Sequence, residues 1–178
     1  EKPTSDSGMI EIGDFFIDRF EYPNTEGLLP TVDVSWKEAQ GLCQSKGKRL
    51  CSEKEWTTAC LGPENLIYGY GNKYESERCN VPYNNGNLWI RDGLAISGKH
   101  ESCSSSYGVK DLIGNAWEWT DGWYNSYRGW RIVRGGSWFN SVNMARADRG
   151  YGKFLTDDYS VDLIGFRCCR SNIDNQNP

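Results

Sequence analysis

The residues best suited to chemistry in this chain of 178 are its seven cysteines, at positions 43, 51, 60, 79, 103, 168 and 169. No two of them have the Cys-x-x-Cys spacing of a zinc site, and stable disulfides are rare in reducing cytosol. We therefore expect disulfides and an extracytoplasmic location. Because seven is odd, at least one sulfur is free or pairs outside the chain. On a strand, Cys168 and Cys169 point to opposite faces and need different partners.

Other reactive groups are few. The one histidine, His100, lies in a polar stretch typical of a solvated loop and excludes metal sites that need two histidines. Carboxylates cluster at Asp157, Asp158 and Asp162. The net charge of −4 argues against a nucleic-acid partner, which needs a basic surface. No apolar run approaches the roughly 20 residues of a membrane-spanning helix, and Glu1 to Ser7 lack the regions of a signal peptide.

The elements that must position these groups are short. Ser35 to Glu38 and Ser52 to Glu55 are capping boxes that begin two amphipathic helices, ended by glycines. Residues 67 to 113 carry no helical periodicity. Strand signals occur at 15–21, 116–120, 131–133 and 163–168. With eight Trp, ten Tyr and twenty Gly, the chain reads as a loop-rich α+β protein with two short helices and short antiparallel strands. We expect one domain over residues 9–170, with flexible tails at 1–8 and 171–178.

Six motifs occur in an order that resembles the formylglycine-generating enzyme, or sulfatase-modifying factor, family. They are Phe16-Ile17-Asp18, Val34 to Ala39, Gly47-Lys48-Arg49-Leu50 running into Glu53 to Trp56, Gly114 to Trp119, Arg134 to Trp138, and Gly165 to Cys168. The resemblance covers residues 9 to 169. It implies a variant of the C-type lectin fold, with few helices and much irregular backbone.

The resemblance also indicates which two positions would hold the catalytic residues. Family members use two cysteines, spaced five apart after the Arg-Gly-Gly-Ser motif, which bind copper(I) and oxidise a substrate cysteine to formylglycine. Thiolates are the soft ligands that copper(I) requires. Here the matching positions are Asn140 and Ala145. We therefore expect no copper and no such activity. Ser137 and Trp117 match residues near the family's active site, but a packing role is expected for both. A related iron-dependent branch needs histidines that this chain lacks.

Structural calcium is a second implication of the resemblance. One site would fall at Asn80, the Val81 carbonyl, Asp92 and the Leu94 carbonyl. The other would be formed by a carboxylate, two carbonyls and a second carboxylate, at Asp111, Gly114, Ala116 and Glu118. Carboxylate, amide and carbonyl oxygens are the hard ligands that Ca²⁺ accepts, and they could order a segment that has no regular secondary structure.

The resemblance further implies a Cys43–Cys168 disulfide, for which closing so long a loop could contribute on the order of 4 kcal/mol. The family partner of Cys60 falls at Gly150, so that bridge is lost or rerouted. We expect Cys60–Cys79 and Cys51–Cys169, which leaves Cys103 free. A Cys79–Cys103 bridge that leaves Cys60 unpaired is the alternative.

The function expected from these features is a non-catalytic binding or structural module that recognises a protein or glycan, or joins a larger envelope or extracellular assembly. Aromatic, Asn and Arg side chains after the Arg-Gly-Gly-Ser motif suit recognition. The same region resembles the diversified segment of retroelement-variable proteins. The expected ligand surface comprises Asn140, Asn143, Arg146, Arg149, Tyr151 and Tyr159. The alternative is a divergent oxidoreductase of this family that uses Cys103 or a carboxylate pair.

Overall fold

A computed structural model describes residues 8–172 of the chain. Of the predicted tails at 1–8 and 171–178, residues 1–7 and 173–178 lie outside the described residues. The helices are α1 (Trp36–Ser45) and α2 (Glu53–Leu61). The strands are β1 (Met9–Ile12), β2 (Phe15–Asp18), β3 (Arg49–Leu50), β4 (Tyr83–Asn84), β5 (Trp89–Ile90), β6 (Trp117–Asn125), β7 (Trp130–Arg134), β8 (Gly150–Tyr151), β9 (Ile164–Phe166) and β10 (Cys168–Ser171). Within the described range, no helix is long and apolar enough to cross a membrane.

Both predicted helices begin at their capping boxes. The Ser35 hydroxyl accepts a hydrogen bond from the Glu38 amide at 3.3 Å, and the Glu38 carboxylate accepts one from the Ser35 amide at 2.8 Å. Ser52 and Glu55 make the same reciprocal pair at 3.1 and 2.8 Å. Each box satisfies two backbone donors that have no partner within the helix. The start of each helix is therefore determined by local sequence.

The first sheet has the strand order β1-β2-β10-β3, and all its pairs are antiparallel. Phe15 and Ile17 on β2 are buried, and Phe16 between them is partly buried. The C-terminal strand lies in the middle of this sheet and continues to Ser171, which pairs with Phe15. The ordered strand thus extends one residue past the predicted domain end at Arg170.

The second sheet has the order β8-β7-β6-β9 and borders the candidate functional site. Its long hairpin, β6 and β7, contains register shifts between Trp119 and Asn125. Strand β9 joins β6 in parallel, with Ile164 opposite Trp117. This parallel pair is an exception to the predicted antiparallel pattern. A separate hairpin is formed by β4 and β5.

A buried ion pair, Glu118 with Arg167, connects the two sheets. The Arg167 guanidinium donates to both carboxylate oxygens of Glu118 at 2.7 and 2.8 Å, and the Trp56 indole N–H donates to the same carboxylate at 2.7 Å. Arg167 also donates to the carbonyls of Asp18, Arg19 and Lys110. Both charged groups are essentially inaccessible to solvent. A pair this deep is favourable only when its remaining donors are satisfied, as they are here.

Six of the seven cysteines, all within residues 8–172, form three disulfides. Cys43–Cys168 and Cys51–Cys169 confirm two of the predicted bridges, and the adjacent cysteines of β10 do have different partners. The expected Cys60–Cys79 bridge is wrong. Cys79 pairs with Cys103 instead, and Cys60 keeps a buried free thiol. Cys60 lies on α2 with its side chain in the apolar core beside Trp56, whereas Cys79 and Cys103 belong to two loops that approach each other.

The irregular stretch 67–113 is ordered by side chains rather than by helices or long strands. The Cys79–Cys103 disulfide closes it. Asn115 then fixes it to the rest of the fold, because its side-chain oxygen accepts from the Ala95 amide and the Asn80 side chain, both at 2.9 Å. Its side-chain nitrogen donates to buried Glu21 at 2.8 Å. His100 lies in this region, with a ring nitrogen 3.4 Å from the Glu77 carbonyl oxygen, in keeping with a loop histidine.

Candidate functional site

A cavity of about 420 Å³ opens beside the second sheet, between β6, β7, β9 and the segment that precedes β9. It has an apolar floor and an aromatic rim. Its lining residues are Trp117, Val133, Asn140, Met144, Tyr151, Leu155, Tyr159, Val161, Leu163 and Ile164. None of these side chains carries a charge at neutral pH. The cavity can therefore accept an apolar group but offers no ionic partner to one.

Asn140 occupies the wall where the family resemblance places the first catalytic cysteine. Its side-chain oxygen accepts a hydrogen bond from the Trp117 indole N–H at 2.7 Å and from the Ser137 hydroxyl at 2.6 Å. An indole N–H can only donate, so the accepting atom is the amide oxygen. Asn140 Nδ2 has no hydrogen-bond partner within residues 8–172. This amide can therefore donate to a carbonyl oxygen presented in the cavity.

Ala145 matches the second catalytic cysteine position and has a packing role. It is only 2 % exposed, within the core cluster around Trp56, and is absent from the cavity lining. Gly136 packs directly against it, because a Cβ at Gly136 would lie 2.8 Å from the Ala145 Cα. The residues present do not fit copper(I), since neither position offers a thiolate.

The structure brings three of the six predicted ligand-surface residues to the cavity, namely Asn140, Tyr151 and Tyr159. The other three are Asn143, Arg146 and Arg149, which do not line it. Arg146 is held in a two-bond ion pair with Asp148 at 2.7 and 2.8 Å, and this pair raises the pKa of Arg146 and lowers that of Asp148. Asn143 is exposed on a short 3-10 turn, Val142–Met144.

The sequence interpretation missed the aliphatic half of the cavity. Met144, Leu155, Val161 and Leu163 contribute to the lining, together with β-strand residues of the second sheet. The alternation of Val161 and Leu163 before β9 was the available signal. It was not decisive, because alternation shows that one side is apolar without showing whether that side faces the core or an open cavity.

The groups considered for an alternative catalytic role are already engaged. Cys103 is in a disulfide. Burial raises the pKa of the Cys60 thiol far above its ordinary value, so this side chain is a poor nucleophile. Asp157 accepts from the Arg131 guanidinium at 2.7 Å, and Asp158 accepts from the Lys37 ammonium at 2.9 Å. Within residues 8–172, no thiolate or carboxylate pair lines the cavity.

The residues expected at the first calcium site belong to two segments of the irregular region that a hydrogen bond from Asn80 to Gly93 connects. Asn80 uses its side-chain nitrogen to donate to Gly93 and Asn115 at 2.8 and 2.9 Å, which leaves its side-chain oxygen without a donor among the described residues. Asp92 is exposed, and Leu94 is partly buried nearby in sequence. An amide oxygen, two carbonyls and one carboxylate are acceptable to Ca²⁺.

The second expected site lies beside an excess of buried negative charge. Burial and the neighbouring Asp111 and Glu118 carboxylates raise the pKa of Glu21 well above its ordinary value. Burial likewise raises the pKa of Asp111, which accepts from the Gly98 amide at 2.7 Å. Glu118 already accepts three hydrogen bonds, so about one lone-pair position remains on it. Within residues 8–172, no three acidic, His or Cys side chains converge as metal ligands.

The sequence also matches a known protein family. The model of the sulfatase-modifying factor enzyme 1-like domain matches residues 8–172. The chain belongs to this family. The match spans both sheets, the cavity and all seven cysteines, so the predicted resemblance and the α+β, C-type-lectin-like fold are confirmed.

Among the relatives in this family is the inactive C-alpha-formylglycine-generating enzyme 2 of Bos taurus, which is 34% identical over 157 residues, covering 78% of this chain and 49% of that protein. The formylglycine-generating enzyme of Bos taurus is 26% identical over 170 residues, covering 81% of this chain and 44% of that protein. The chain thus spans about half the length of these relatives. A solved structure, Treponema denticola variable protein 1, has the same fold, with a TM-score of 0.69, 16% identity and coverage of 87% of this chain and 84% of that one.

Proposed function

We propose that this domain is a non-catalytic, extracytoplasmic binding module of the sulfatase-modifying factor family. The observation that carries the proposal is Asn140, which takes the wall position of a catalytic thiolate and is held there by Trp117 and Ser137. Buried Ala145 takes the second position. The name of the bovine relative, an inactive formylglycine-generating enzyme, supports the same interpretation.

The cavity is the proposed binding site. Its walls are uncharged, and Asn140 Nδ2 is a hydrogen-bond donor for a backbone carbonyl. An apolar side chain next to a peptide carbonyl matches both features. We therefore favour a polypeptide over a glycan as the partner, since the hydroxyl groups of a sugar would find few polar atoms in this cavity. The three disulfides support an extracytoplasmic location, because such bonds persist in oxidising compartments.

A copper and thiol assay tests the absence of catalysis. The purified chain is titrated with copper(I) against a competing chelator, and its thiols are counted before and after denaturation. We expect no copper held by two thiolates, and one thiol, Cys60, that reacts only after unfolding. Stoichiometric uptake of copper by two thiolates, or conversion of a peptide cysteine to formylglycine, would overturn the proposal.

Selection from a random-peptide phage library tests the binding site. The wild-type chain is the bait, and Val161→Trp, which fills part of the cavity, is the counter-bait. We expect selected peptides to bind the wild-type chain and to lose affinity for the variant, whose unfolding midpoint serves as the folding control. Asn140→Leu, which retains the volume and removes the amide, should weaken the same peptides. Peptides that bind both variants as well as the wild type would place binding elsewhere.

We also propose that calcium orders the irregular region, with the two ligand sets predicted from the sequence. At the second site, Asp111 with the Gly114 and Ala116 carbonyls would supply most of the ligands, and a cation there would offset the buried charge of Glu21 and Asp111. The test is unfolding in EDTA and in added calcium. Calcium should raise the unfolding midpoint of the wild-type chain, and it should raise that of Asp111→Asn by less, because this variant retains only the first ligand set. An unchanged wild-type midpoint would contradict the proposal.

A further inference from the structure

A row of aromatic rings leads from the cavity across the second sheet. We call Tyr151, Tyr124, Trp130 and Phe154 the aromatic ribbon. The Tyr151 ring centroid lies 6.5 Å from that of Trp117 on the cavity wall and 6.3 Å from that of Tyr124. The Trp130 ring centroid lies 6.5 Å from that of Tyr124 and 4.9 Å from that of Phe154. Tyr124 is 47% and Phe154 63% exposed. Rings at these spacings form one continuous surface that begins at the cavity mouth.

The backbone holds the ribbon in place. Gly152 lies so close to β6 and β7 that a Cβ there would be 2.2 Å from the Tyr124 Cβ and 2.1 Å from the Arg131 carbonyl oxygen. Only glycine permits this approach, which places Tyr124 beside Tyr151. Phe154 has a φ of 68°, a conformation that is uncommon and costly for a residue other than glycine. The exposed Phe154 ring is therefore held by an unfavourable local backbone conformation.

Two cations border the ribbon without a carboxylate partner in the described chain. The Arg128 guanidinium lies 5.1 Å from the Trp130 ring centre, and the Lys153 ammonium lies 5.2 Å from that of Phe154. Three acidic groups of the neighbouring segments are engaged elsewhere. Asp121 and Asp157 face Arg131, which is stacked between Trp36 and Trp123, and Asp158 pairs with Lys37. The ribbon is thus apolar with a positive border, on a protein whose net charge is −4.

We infer that the aromatic ribbon, with Arg128 and Lys153, docks an acidic segment of a partner polypeptide whose apolar residue enters the cavity. Exposed Tyr, Trp and Arg side chains are the types that dominate protein interfaces. The two cations complement Asp or Glu, and Asp121, Asp157 and Asp158 are held by other cations. This inference rests on the proposed function, because the same partner fills the cavity.

Charge and ring geometry distinguish this partner from two others. An anionic glycan would stack on open ring faces, whereas Arg128 and Lys153 lie over the Trp130 and Phe154 rings. A second copy of this chain carries the same net negative charge, which opposes self-association. An acidic peptide can pair with the two cations while it contacts the exposed Tyr124 and Phe154 side chains.

The experiment compares peptide selections on two baits. A random-peptide phage library is panned on the wild-type chain and on the double variant Arg128→Glu with Lys153→Glu. The matched control is Lys73→Glu with Lys99→Glu, which reverses two exposed lysines on other loops. Enriched peptides are synthesised, and their affinities are measured at low and high salt. In parallel, the wild-type chain is tested on an array of uronate- and sulfate-bearing glycans and by sedimentation for self-association.

We expect the wild-type selection to enrich Asp or Glu next to an apolar residue. The ribbon variant should bind these peptides roughly tenfold more weakly, since two exposed charge pairs are lost and reversed, and the control variant should bind them as the wild type does. Added salt should weaken wild-type binding. Peptides that lose binding in Val161→Trp but show no acidic enrichment and no response to ribbon reversal would overturn this inference and leave the proposed function standing. Binding only to the anionic glycans, or self-association without peptide enrichment, would overturn it as well.

Discussion

The polar groups in the buried centre of this domain are paired with one another, whereas several on the cavity face have no such partner among the described residues. In the centre, the Arg167 guanidinium donates to Glu118 and to three backbone carbonyls, and Glu118 also accepts a hydrogen bond from the Trp56 indole. Two disulfides join β10 to α1 and to the residue after β3. On the cavity face, Asn140 Nδ2 has no hydrogen-bond partner in the described chain, and the two cations beside the aromatic ribbon lie over aromatic rings without a carboxylate partner there.

We infer from this difference that the buried centre determines stability and that the cavity face is available for binding. Unpaired charge in the centre would be strongly destabilising, because desolvation is not compensated there. The same unpaired charge at the surface costs little and remains available to a ligand. We therefore expect substitutions in the centre to change the unfolding free energy, and substitutions on the cavity face to change binding. Four predictions test this division, from the largest expected effect to the smallest.

Removing the Cys43–Cys168 bridge should have the largest effect. This bridge closes 125 residues and the Cys79–Cys103 bridge closes 24. In the chain-entropy model, Cys43→Ala with Cys168→Ala should lower the unfolding free energy by about 4 to 5 kcal/mol. The matched Cys79→Ala, Cys103→Ala variant should lose about 1.5 kcal/mol less. Urea unfolding under oxidising conditions measures both, and equal losses would show that loop length does not control the stabilisation.

Breaking the buried ion pair comes next. Arg167→Met leaves the Glu118 carboxylate buried beside Glu21 and Asp111 with no compensating charge. We expect a loss of about 3 kcal/mol in the unfolding free energy, measured by urea unfolding. Arg128→Met is the control, since it removes an exposed guanidinium. Similar losses for the two variants would contradict the division between centre and surface.

The unfolding free energy should depend on pH because several carboxyl groups are buried in the folded chain. Burial raises the pKa of Glu21, Asp111 and Asp18 in the folded chain. Such a group keeps its proton when folded at a pH where the unfolded chain has lost it. The unfolding free energy should therefore fall as pH rises from the ordinary Glu value of 4.5 through the raised pKa. The measurement is urea unfolding across this range in EDTA.

The matched variant in that experiment is Glu21→Gln. It keeps an oxygen that can accept from Asn115 and removes the ionisation, so the pH dependence should become flatter. Lowered pKa values at Glu55 and Asp148 work in the opposite direction, since their stabilisation is lost as pH falls. Wild-type stability that rises steadily from mildly acidic to neutral pH in EDTA would contradict the assignment of raised pKa values to the centre.

The smallest effect is expected at the ribbon border. Arg128→Ala and Lys153→Ala should each change the unfolding free energy by no more than about 0.5 kcal/mol, because neither side chain has a carboxylate partner in the described chain. Thermal or urea unfolding checks this. A loss comparable to that of Arg167→Met would mean that these cations stabilise the fold, and the surface would then not be free for a partner.

Features that depend on neighbouring residues were predictable. The two capping boxes set the starts of α1 and α2, because each uses a Ser and a Glu three positions apart. The strand signal at residues 15–21 corresponds to β2 at Phe15–Asp18. The motifs that resemble the sulfatase-modifying factor family predicted the fold and the Cys43–Cys168 bridge, and the family match and the structure confirm them.

Features that depend on distant segments were less accessible. The choice between Cys60 and Cys103 as the partner of Cys79 could not be read from spacing, because it depends on how residues 79 and 103 approach across an irregular loop. Three of the six expected ligand-surface residues do not line the cavity, since Arg146 is drawn to Asp148 and Asn143 and Arg149 extend into solvent.

The helix caps, the family motifs and the absence of cysteine at positions 140 and 145 are all evident from the chain alone. Each of these features depends on residue identity within a few positions along the chain. The folded structure was needed to show that Asn140 contacts Trp117, that Cys60 is enclosed in the core, and that Tyr151, Tyr124, Trp130 and Phe154 form one surface. These contacts join segments far apart in sequence, and packing alone sets their distances.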